Sequence, residues 1–466
     1  MPKTADLHSR YNPAAEANRY LDSLNIKGTV DYFILIEPGM GYLSASLRER
    51  NPGAKIISLH AASPGEIPEK NKADAAWFPE NNESLRDFLE HEIPDTEAHN
   101  IKIIEWRPGL AAYGQAYKYL LFETAEFIKI IDASIRTQNT FGKKWFRNFF
   151  RNLSVLSKII CPQKTDFPFL ITGAGPGLED VIPFIKNETD NLYIIAASSS
   201  VSVLNNAGII PDMVISIDGG NWTLLHLFES FRCAGNLNFA VNMTAALPSR
   251  CNETPLLLIC DSLWQNIILK ELKIPFIALP QRGTVAAAAL DLAFALTEDK
   301  VFISGVDLSQ KDLQSHARPY AFDRLWDEKA SRLNPAYSQV FTRSGEMKTG
   351  GSYNIYASWF NHQLEKYPKR LFSLGSNHDI FKNYEIRSAE LNENIHLKKQ
   401  KPAFDFYSVK FEKNPVDHAA KILTDALIHS RFSIQLASEL NTLLFPEINL
   451  TINELCDAVF SLTKRK

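Results

Sequence analysis

The chain has 466 residues, enough for two or three domains that each bury a hydrophobic core. Its 50 Lys and Arg residues nearly balance its 53 Asp and Glu residues, so nucleic-acid binding is not expected as the main function. The five cysteines show no zinc-type spacing, and neither a disulfide framework nor a metal site is predicted. Because no apolar run approaches the roughly 20 residues of a membrane span, we expect a cytoplasmic protein without membrane insertion.

The first predicted domain, residues 1–135, alternates helices and strands and is typical of a small Rossmann-like unit. Its strand Tyr32–Ile36 leads into a turn that contains only Gly39 and Gly41. His60, rather than an acidic residue, follows the next strand. The turn therefore lacks the dinucleotide fingerprint, and we do not expect a dinucleotide or a methyl donor to bind there.

A basic and aromatic segment, residues 143–153, carries apolar side chains at helical spacing. This pattern predicts an amphipathic helix that links two domains within residues 136–166. Contact of the same segment with a membrane or a nucleic acid is the alternative interpretation.

Residues 167–385 are predicted to form a central α/β domain in which three successive strands end in glycine-rich or polar segments. Because the carboxyl ends of parallel strands meet at one edge, these segments are predicted to form a nucleotide-binding edge. The glycine turn alone does not distinguish phosphate binding from tight packing, since it matches neither the dinucleotide fingerprint nor a P-loop. The residues in question are Gly173, Gly175 and Pro176 after the first strand, Ser198 and Ser199 after the second, and Asp218 after the third.

Two later segments of this domain also carry candidate ligand-binding groups. Gly283 and Thr284 precede an alanine-rich helix and offer donors to an anion, although Thr284 is equally well explained as a helix N-cap. Past the last strand, a loop contains His316, Tyr320 and Asp323, which are suited to acid–base chemistry and anion binding.

Ordered motifs occur in segments 7–17, 145–149, 173–178, 207–218, 283–286, 290–293, 305–308 and 315–317. Together they resemble the motility associated factor (Maf) flagellin glycosyltransferases, over about residues 7–385. The resemblance implies a transferase that moves a nonulosonic acid, of the sialic, pseudaminic or legionaminic type, from its CMP-activated donor onto Ser or Thr of flagellin. The central domain of that family is similar in turn to bacterial sialyltransferases.

In the sialyltransferase comparison, residues 303–307 and 320–323 look like the donor-site strand and loop, which implies that Tyr320 hydrogen-bonds the departing CMP phosphate. His316 is our candidate for the catalytic base, and Asp218 is the third residue placed in the catalytic group. No firm cofactor is implied, although Mg²⁺ is possible. The donor contacts are assigned to Gly173, Gly175, Pro176, Ser198, Ser199, Asp218, Arg282, Gly283, Thr284, Asp307 and Tyr320.

The chain departs from the family pattern at three places. It has Gly177 where the family usually has Ser, which removes one hydroxyl contact. It has Arg282 where the family usually has Gly, so a cation is expected to face the donor. Where the sialyltransferases place a catalytic His, this chain reads Lys348, Thr349, Gly350.

The last predicted domain, residues 386–466, is helical and is expected to cap the sheet domain, with docking on flagellin or on a second copy as the alternative. Two other functions stay open. The central domain also looks like an archaeal ATP-dependent 6-hydroxymethyl-dihydropterin diphosphokinase, in which Asp218 and Asp307 would hold magnesium. The chain could also be a non-catalytic flagellin-binding chaperone.

Overall fold

The computed structural model describes residues 7–28, 30–63, 65–93, 100–231, 237–308, 314–335, 352–374, 385–386 and 400–464. The chain forms two compact units, Met1–Asn139 and Thr140–Lys466. The predicted α/β class, with parallel sheets and a helical carboxyl-terminal region, is confirmed. None of the helices in the described ranges has the length and apolar character that a bilayer crossing requires.

The first unit contains a parallel four-stranded sheet in the order β3-β2-β1-β4. All five residues of β1 are buried, as expected for a central strand covered on both faces. The last helix continues past residue 139, so the boundary between the two units falls inside it. The strands are β1 (Tyr32–Ile36), β2 (Lys55–Leu59), β3 (Ala75–Trp77) and β4 (Ile101–Glu105), and the helices are α1 (Pro13–Ser23), α2 (Tyr42–Arg50), α3 (Leu85–Glu92), α4 (Arg107–Tyr113) and α5 (Gln115–Val155).

The second unit is built on one large sheet, in the order β14-β13-β12-β6-β7-β8-β9-β10-β5-β15, with β11 also paired to β10. Its pairs are parallel except for β15, which runs antiparallel to β5. The strands are β5 (Lys158–Ile160), β6 (Phe169–Thr172), β7 (Tyr193–Ala197), β8 (Met213–Ser216), β9 (Asn238–Asn242), β10 (Leu256–Cys260), β11 (Ile277–Ala278), β12 (Val301–Ser304), β13 (Leu371–Leu374), β14 (Glu385–Ile386) and β15 (Phe406–Ser408).

Helices cover both faces of this sheet, because its strands are apolar on both sides. The carboxyl-terminal part of α5, together with α6 to α9 and α13 to α15, packs on one face, whereas α10 and α12 pack on the other. The helices are α6 (Leu178–Asn187), α7 (Val201–Asn206), α8 (Thr223–Ser230), α9 (Leu263–Glu271), α10 (Val285–Leu296), α11 (Asp323–Lys329), α12 (Ser352–Lys366), α13 (Pro415–His429), α14 (Ser433–Leu444) and α15 (Ile452–Lys464).

The strand order reverses between β6 and β12. Strands β6 to β10 follow one another across the sheet in chain order, whereas β12 lies on the opposite side of β6. Such a reversal leaves a crevice at the carboxyl ends of the two strands, where open α/β sheets bind their ligands. The glycine turn after β6 and the segment after β12 therefore lie at the topological switch point.

The carboxyl-terminal helices pack on the sheet of the second unit through α9. Leu423, Leu440 and Val459 belong to the same buried cluster as Trp264 of α9. The Glu439 carboxylate accepts hydrogen bonds from the backbone N–H groups of residues 263 and 264, both at 3.1 Å, and so caps the start of α9. These contacts make the tail part of the second unit.

Candidate active site at the carboxyl edge of the second sheet

The glycine turn after β6 packs directly against the segment that follows β12. The Gly175 N–H donates to the Gly305 carbonyl at 2.7 Å. A Cβ atom at Gly173 would lie 2.3 Å from that same carbonyl oxygen, and Gly305 itself has a φ of +65°. The backbones approach too closely for side chains, so the glycines are required for the packing of these two segments.

Asp307 fixes the start of α6 from the neighbouring segment. Its carboxylate, only 4% exposed, accepts a 2.6 Å hydrogen bond from the Gly177 N–H. A negative charge is favourable there because the first turn of a helix presents unpaired N–H groups and a partial positive charge. The carbonyl of Pro176 accepts from the Glu179 N–H one turn further on. Gly177, where the family usually has Ser, thus lies at the contact between the glycine turn and the segment after β12.

Residues 314–322, which belong to the loop after β12, lie at the carboxyl edge of the sheet. The Ala317 N–H donates to the Ala174 carbonyl in the glycine turn, and the Arg318 N–H donates to the Glu179 carboxylate, each at 2.8 Å. Further along, Tyr320 reaches α8, which follows β8. The described part of the loop, residues 314–322, therefore links the glycine turn with α8.

Five rings form an aromatic cluster where this loop meets α8. The His316 and Tyr320 rings stack with centroids 4.0 Å apart and an interplanar angle of 10°. The Trp326 ring lies 5.3 Å from the Tyr320 ring and 6.0 Å from the Phe322 ring. The fifth member is His226, which meets the Phe322 ring edge-on at 4.9 Å. The predicted residues His316 and Tyr320 are thus in direct contact.

His226 was missed by the sequence analysis, because a single histidine inside a short apolar helix carries no distinctive pattern. Its Nε2 atom lies 3.4 Å from the Tyr320 hydroxyl oxygen. The side chain is 9% exposed, and burial lowers its pKa to about 4 even though the Asp218 carboxylate opposes that shift. The ring is therefore neutral at pH 7.

Asp218 lies at the end of β8 and caps the segment that leads into α8. One carboxylate oxygen accepts from the Gly220 N–H at 2.7 Å, and the other accepts from the Thr223 hydroxyl at 2.8 Å. Asp218 is itself exposed to solvent. Its position beside α8 explains its electrostatic effect on His226.

The serines after β7 form a single 3-10 turn, Ser198–Ser200. Ser198 is buried and Ser199 is partly exposed. The Ser200 hydroxyl contacts the Thr172 hydroxyl at 2.9 Å and so ties the end of β7 to the end of β6. The turn lies between the glycine turn and Asp218, as the order of the strands requires.

The basic and aromatic segment of α5 supports the same edge. Asn148 donates to the carbonyl oxygens of Gly219 and Thr244, and Asn152 donates to two further carbonyls of the loop after β9, at 2.8 and 2.9 Å. A Cβ atom at Gly219 would lie 2.3 Å from the Trp145 ring. This stretch is helical, as predicted, and it fixes the turns after β8 and β9.

Arg282, Gly283 and Thr284 contact the helices of the opposite face. The Arg282 guanidinium binds Asp291 of α10 at 2.7 Å and lies 4.7 Å from the centroid of the Trp359 ring of α12. Gly283 packs against a tyrosine ring of α12, and Thr284 is the N-cap of α10, accepting from the Ala286 N–H at 3.3 Å. The expectation that Arg282 faces the donor remains a prediction.

The two proposed magnesium ligands lie on strands that are far apart. Asp218 follows β8 and Asp307 follows β12, and the order β12-β6-β7-β8 puts three strand spacings between them. At about 4.8 Å per spacing, these two strands are roughly 14 Å apart. No three His, Cys, Asp or Glu side chains within the described ranges converge as a metal site. Lys348, Thr349 and Gly350 lie outside the described residues.

One family of known proteins matches the part of the second unit that contains this edge of the sheet. Residues 143–312 match the family described as "6-hydroxymethylpterin diphosphokinase MptE-like". The predicted MptE-like central domain is thereby confirmed. The matched range begins in α5 and includes β6 to β12, so it contains the glycine turn, Asp218, His226 and Asp307.

Relatives and a solved structure extend the comparison. Two uncharacterized proteins of Treponema pallidum (strain Nichols) are similar to this chain. One is 26% identical over 363 residues, which are 76% of this chain and 79% of the relative. The other is 37% identical over 99 residues, 20% of this chain and 47% of the relative. A solved Maf glycosyltransferase from Magnetospirillum magneticum AMB-1 is similar with a TM-score of 0.48 and 12% identity, over 99% of this chain and 77% of that one.

Proposed function

We propose that this chain is a Maf-type glycosyltransferase that moves a nonulosonic acid from its CMP-activated donor onto Ser or Thr hydroxyls of flagellin. The ordered motifs of the sequence support the donor and acceptor classes. The MptE-like match supports a nucleotide-dependent transferase domain. The observation that carries the proposal is the position of Tyr320, which contacts α8 at the carboxyl edge of the sheet and lies on a loop bonded to the glycine turn.

The reaction needs three things from the protein. A nonulosonate leaves CMP through an oxocarbenium-like transition state, so the departing phosphate must be stabilised, water must be excluded and the acceptor hydroxyl must lose a proton. A phenol suits the first task because it can donate to a phosphoryl oxygen as negative charge builds there. We assign this role to Tyr320, and the surrounding rings of the aromatic cluster limit access of water to it.

We assign the base to His316. Its Nδ1 atom lies 3.0 Å from the Ser315 hydroxyl, and its ring is stacked on Tyr320. A base beside the phosphate-binding phenol is close to the bond that breaks, which is the geometry that a direct transfer to an acceptor requires. Substitution His316→Gln is expected to lower kcat strongly and to leave CMP binding within about threefold, since a base acts on the acceptor rather than on the nucleotide.

The nucleotide is assigned to the edge between the glycine turn and Asp218. The exposed Asp218 carboxylate is suited to accept hydrogen bonds from ribose hydroxyls, and Ser198 and Ser199 supply hydroxyl groups between it and the glycine turn. Gly173 and Gly175 contribute by allowing the segment after β12 to pack against the glycine turn. This assignment uses strand ends that neighbour each other in the sheet.

Calorimetric titration with CMP tests the proposal. We expect the wild-type chain to bind CMP and Tyr320→Phe to bind it at least about tenfold more weakly, the value of one hydrogen bond to a charged group. Tyr11→Phe is the matched control, because Tyr11 is 99% exposed and lies in the first unit. Absence of CMP binding by the wild-type chain would overturn the proposal.

A 6-hydroxymethyl-dihydropterin diphosphokinase is the second candidate, favoured by the description of the matching family. It requires ATP and magnesium, and its two proposed ligands, Asp218 and Asp307, follow strands that are three spacings apart, which disfavours a shared ion. The same titration with ATP plus magnesium distinguishes the two enzymes. If neither nucleotide binds, the flagellin-binding chaperone becomes the better account.

A further inference from the structure

His226 is a buried ionisable group in contact with the proposed phosphate-binding phenol. It lies on the first turn of α8, and its Nε2 atom faces the Tyr320 hydroxyl oxygen at 3.4 Å. Its other ring nitrogen, Nδ1, is buried and has no hydrogen-bond partner. The ring packs between Tyr320, with centroids 5.1 Å apart, and Phe322. These contacts hold the imidazole in one orientation towards the phenol.

The neutral ring carries a single proton, and its position decides what Tyr320 can do. If Nδ1 carried the proton, a buried N–H would be left without an acceptor, and Nε2 would accept a hydrogen bond from the phenol O–H. If Nε2 carries the proton, it donates to the phenol oxygen, and the buried Nδ1 is a bare acceptor. Buried donors without partners are rarer in proteins than under-satisfied acceptors, so the Nε2–H form is favoured.

In the Nε2–H form of His226, the Tyr320 O–H group donates its own hydrogen bond away from His226. Resting on the proposed function, we propose that His226 is a positioning residue that turns the Tyr320 hydroxyl proton towards the departing phosphate. The separation of 3.4 Å is long for a hydrogen bond, and such bonds commonly shorten when substrate binds.

Two substitutions separate positioning from packing. Glutamine retains an N–H group near the place of Nε2, whereas phenylalanine keeps the planar ring and removes the donor. We expect His226→Gln to bind CMP within about threefold of wild type, and His226→Phe to lose as much affinity as Tyr320→Phe. The double variant His226→Phe/Tyr320→Phe should be no weaker than either single variant, because both remove one shared interaction. Thermal unfolding of each variant checks that the fold is retained.

The protonation state can also be measured without any ligand. Selective ¹⁵N-histidine labelling, with the His226 signals identified by their loss in His226→Gln, distinguishes a protonated Nε2 from a protonated Nδ1. We expect the Nε2–H form at pH 7, and a protonated Nδ1 overturns the inference.

The titrations give separate outcomes for the two claims. If the wild-type chain binds CMP and Tyr320→Phe weakens it, but His226→Phe binds as wild type, the role of His226 is refuted while the proposed function stands. If the losses of the two single variants add in the double variant, His226 acts through packing and not through Tyr320. If the wild-type chain does not bind CMP, the proposed function and this inference both fail.

Discussion

Gly175→Ala should disrupt the junction between the glycine turn and Asp307. The added Cβ atom would lie 2.3 Å from the Asp307 carboxylate oxygen and 2.8 Å from the Gly305 carbonyl oxygen. An ordinary contact needs at least about 3.4 Å, so the Asp307 side chain must move by roughly 1 Å. That displacement breaks its 2.6 Å hydrogen bond to the Gly177 N–H.

Two costs combine in this variant. Overpacking of a well-filled site typically costs about 1–3 kcal/mol. Loss of a hydrogen bond to a charged group costs about 1.5–3 kcal/mol. We therefore expect Gly175→Ala to lower the free energy of unfolding of the second unit by roughly 3–5 kcal/mol, and hydrogen exchange at the start of α6 to accelerate.

Urea unfolding combined with hydrogen exchange measures this effect. Gly53→Ala is the matched control, because nothing lies within 4 Å of its Cβ position and its φ is not in the left-handed region. Its effect should stay below about 0.5 kcal/mol. In an Asp307→Ala background, the cost of Gly175→Ala should fall by at least about 1 kcal/mol, since the two changes affect one contact. A cost of Gly175→Ala no larger than that of the control would refute the packing argument.

Three further predictions concern the second unit. Burial lowers the pKa of His226 to about 4, so the stability that the neutral ring contributes is complete above about pH 6.5 and is lost as the pH falls towards 4. The free energy of unfolding in urea should decrease by about 3 kcal/mol over this range, and His226→Gln should largely abolish the decrease. An equal pH dependence in both proteins would contradict this prediction. Asp291→Asn removes the carboxylate that binds the Arg282 guanidinium and should lower the free energy of unfolding by about 2 kcal/mol in the same assay. The control Asp132→Asn, in an exposed ion pair, should lower it by less than about 0.5 kcal/mol. Equal effects of the two substitutions would count against a role for burial. Asn152→Leu removes the side-chain donor to two buried carbonyls and should lower the free energy of unfolding, measured by thermal unfolding, by about 2–4 kcal/mol. A loss below about 1 kcal/mol would show that other groups replace the Asn152 side chain as donor.

The regular elements were predictable where the local pattern is sufficient. The strand Tyr32–Ile36 is a continuous apolar run between turn residues, and α10 begins after the N-cap Thr284 and ends before Thr297. The short strand β3 was missed, because three residues carry too little periodicity to identify a strand. The order of strands at the switch point was not predictable either, since it depends on pairing between segments far apart in the chain.

The candidate site shows the same division between local and long-range information. The contact of His316 with Tyr320 follows from their closeness in sequence, and both residues were predicted. His226 lies 94 residues from Tyr320, and only the crossing of the loop over the sheet edge brings them together. Asn152 was predicted as part of a helix, but its two acceptors lie more than 90 residues away. Polar contacts of this kind leave no periodic signal in the sequence.

The transfer reaction itself gives the most direct test of the account. Purified protein would be incubated with flagellin and, in turn, CMP-activated sialic, pseudaminic and legionaminic acid, followed by mass spectrometry of flagellin and quantification of free CMP. The account predicts that one donor adds the mass of a nonulosonate residue to flagellin with equal release of CMP, and that Tyr320→Phe slows both. Binding of CMP without any mass gain on flagellin from these donors would contradict it.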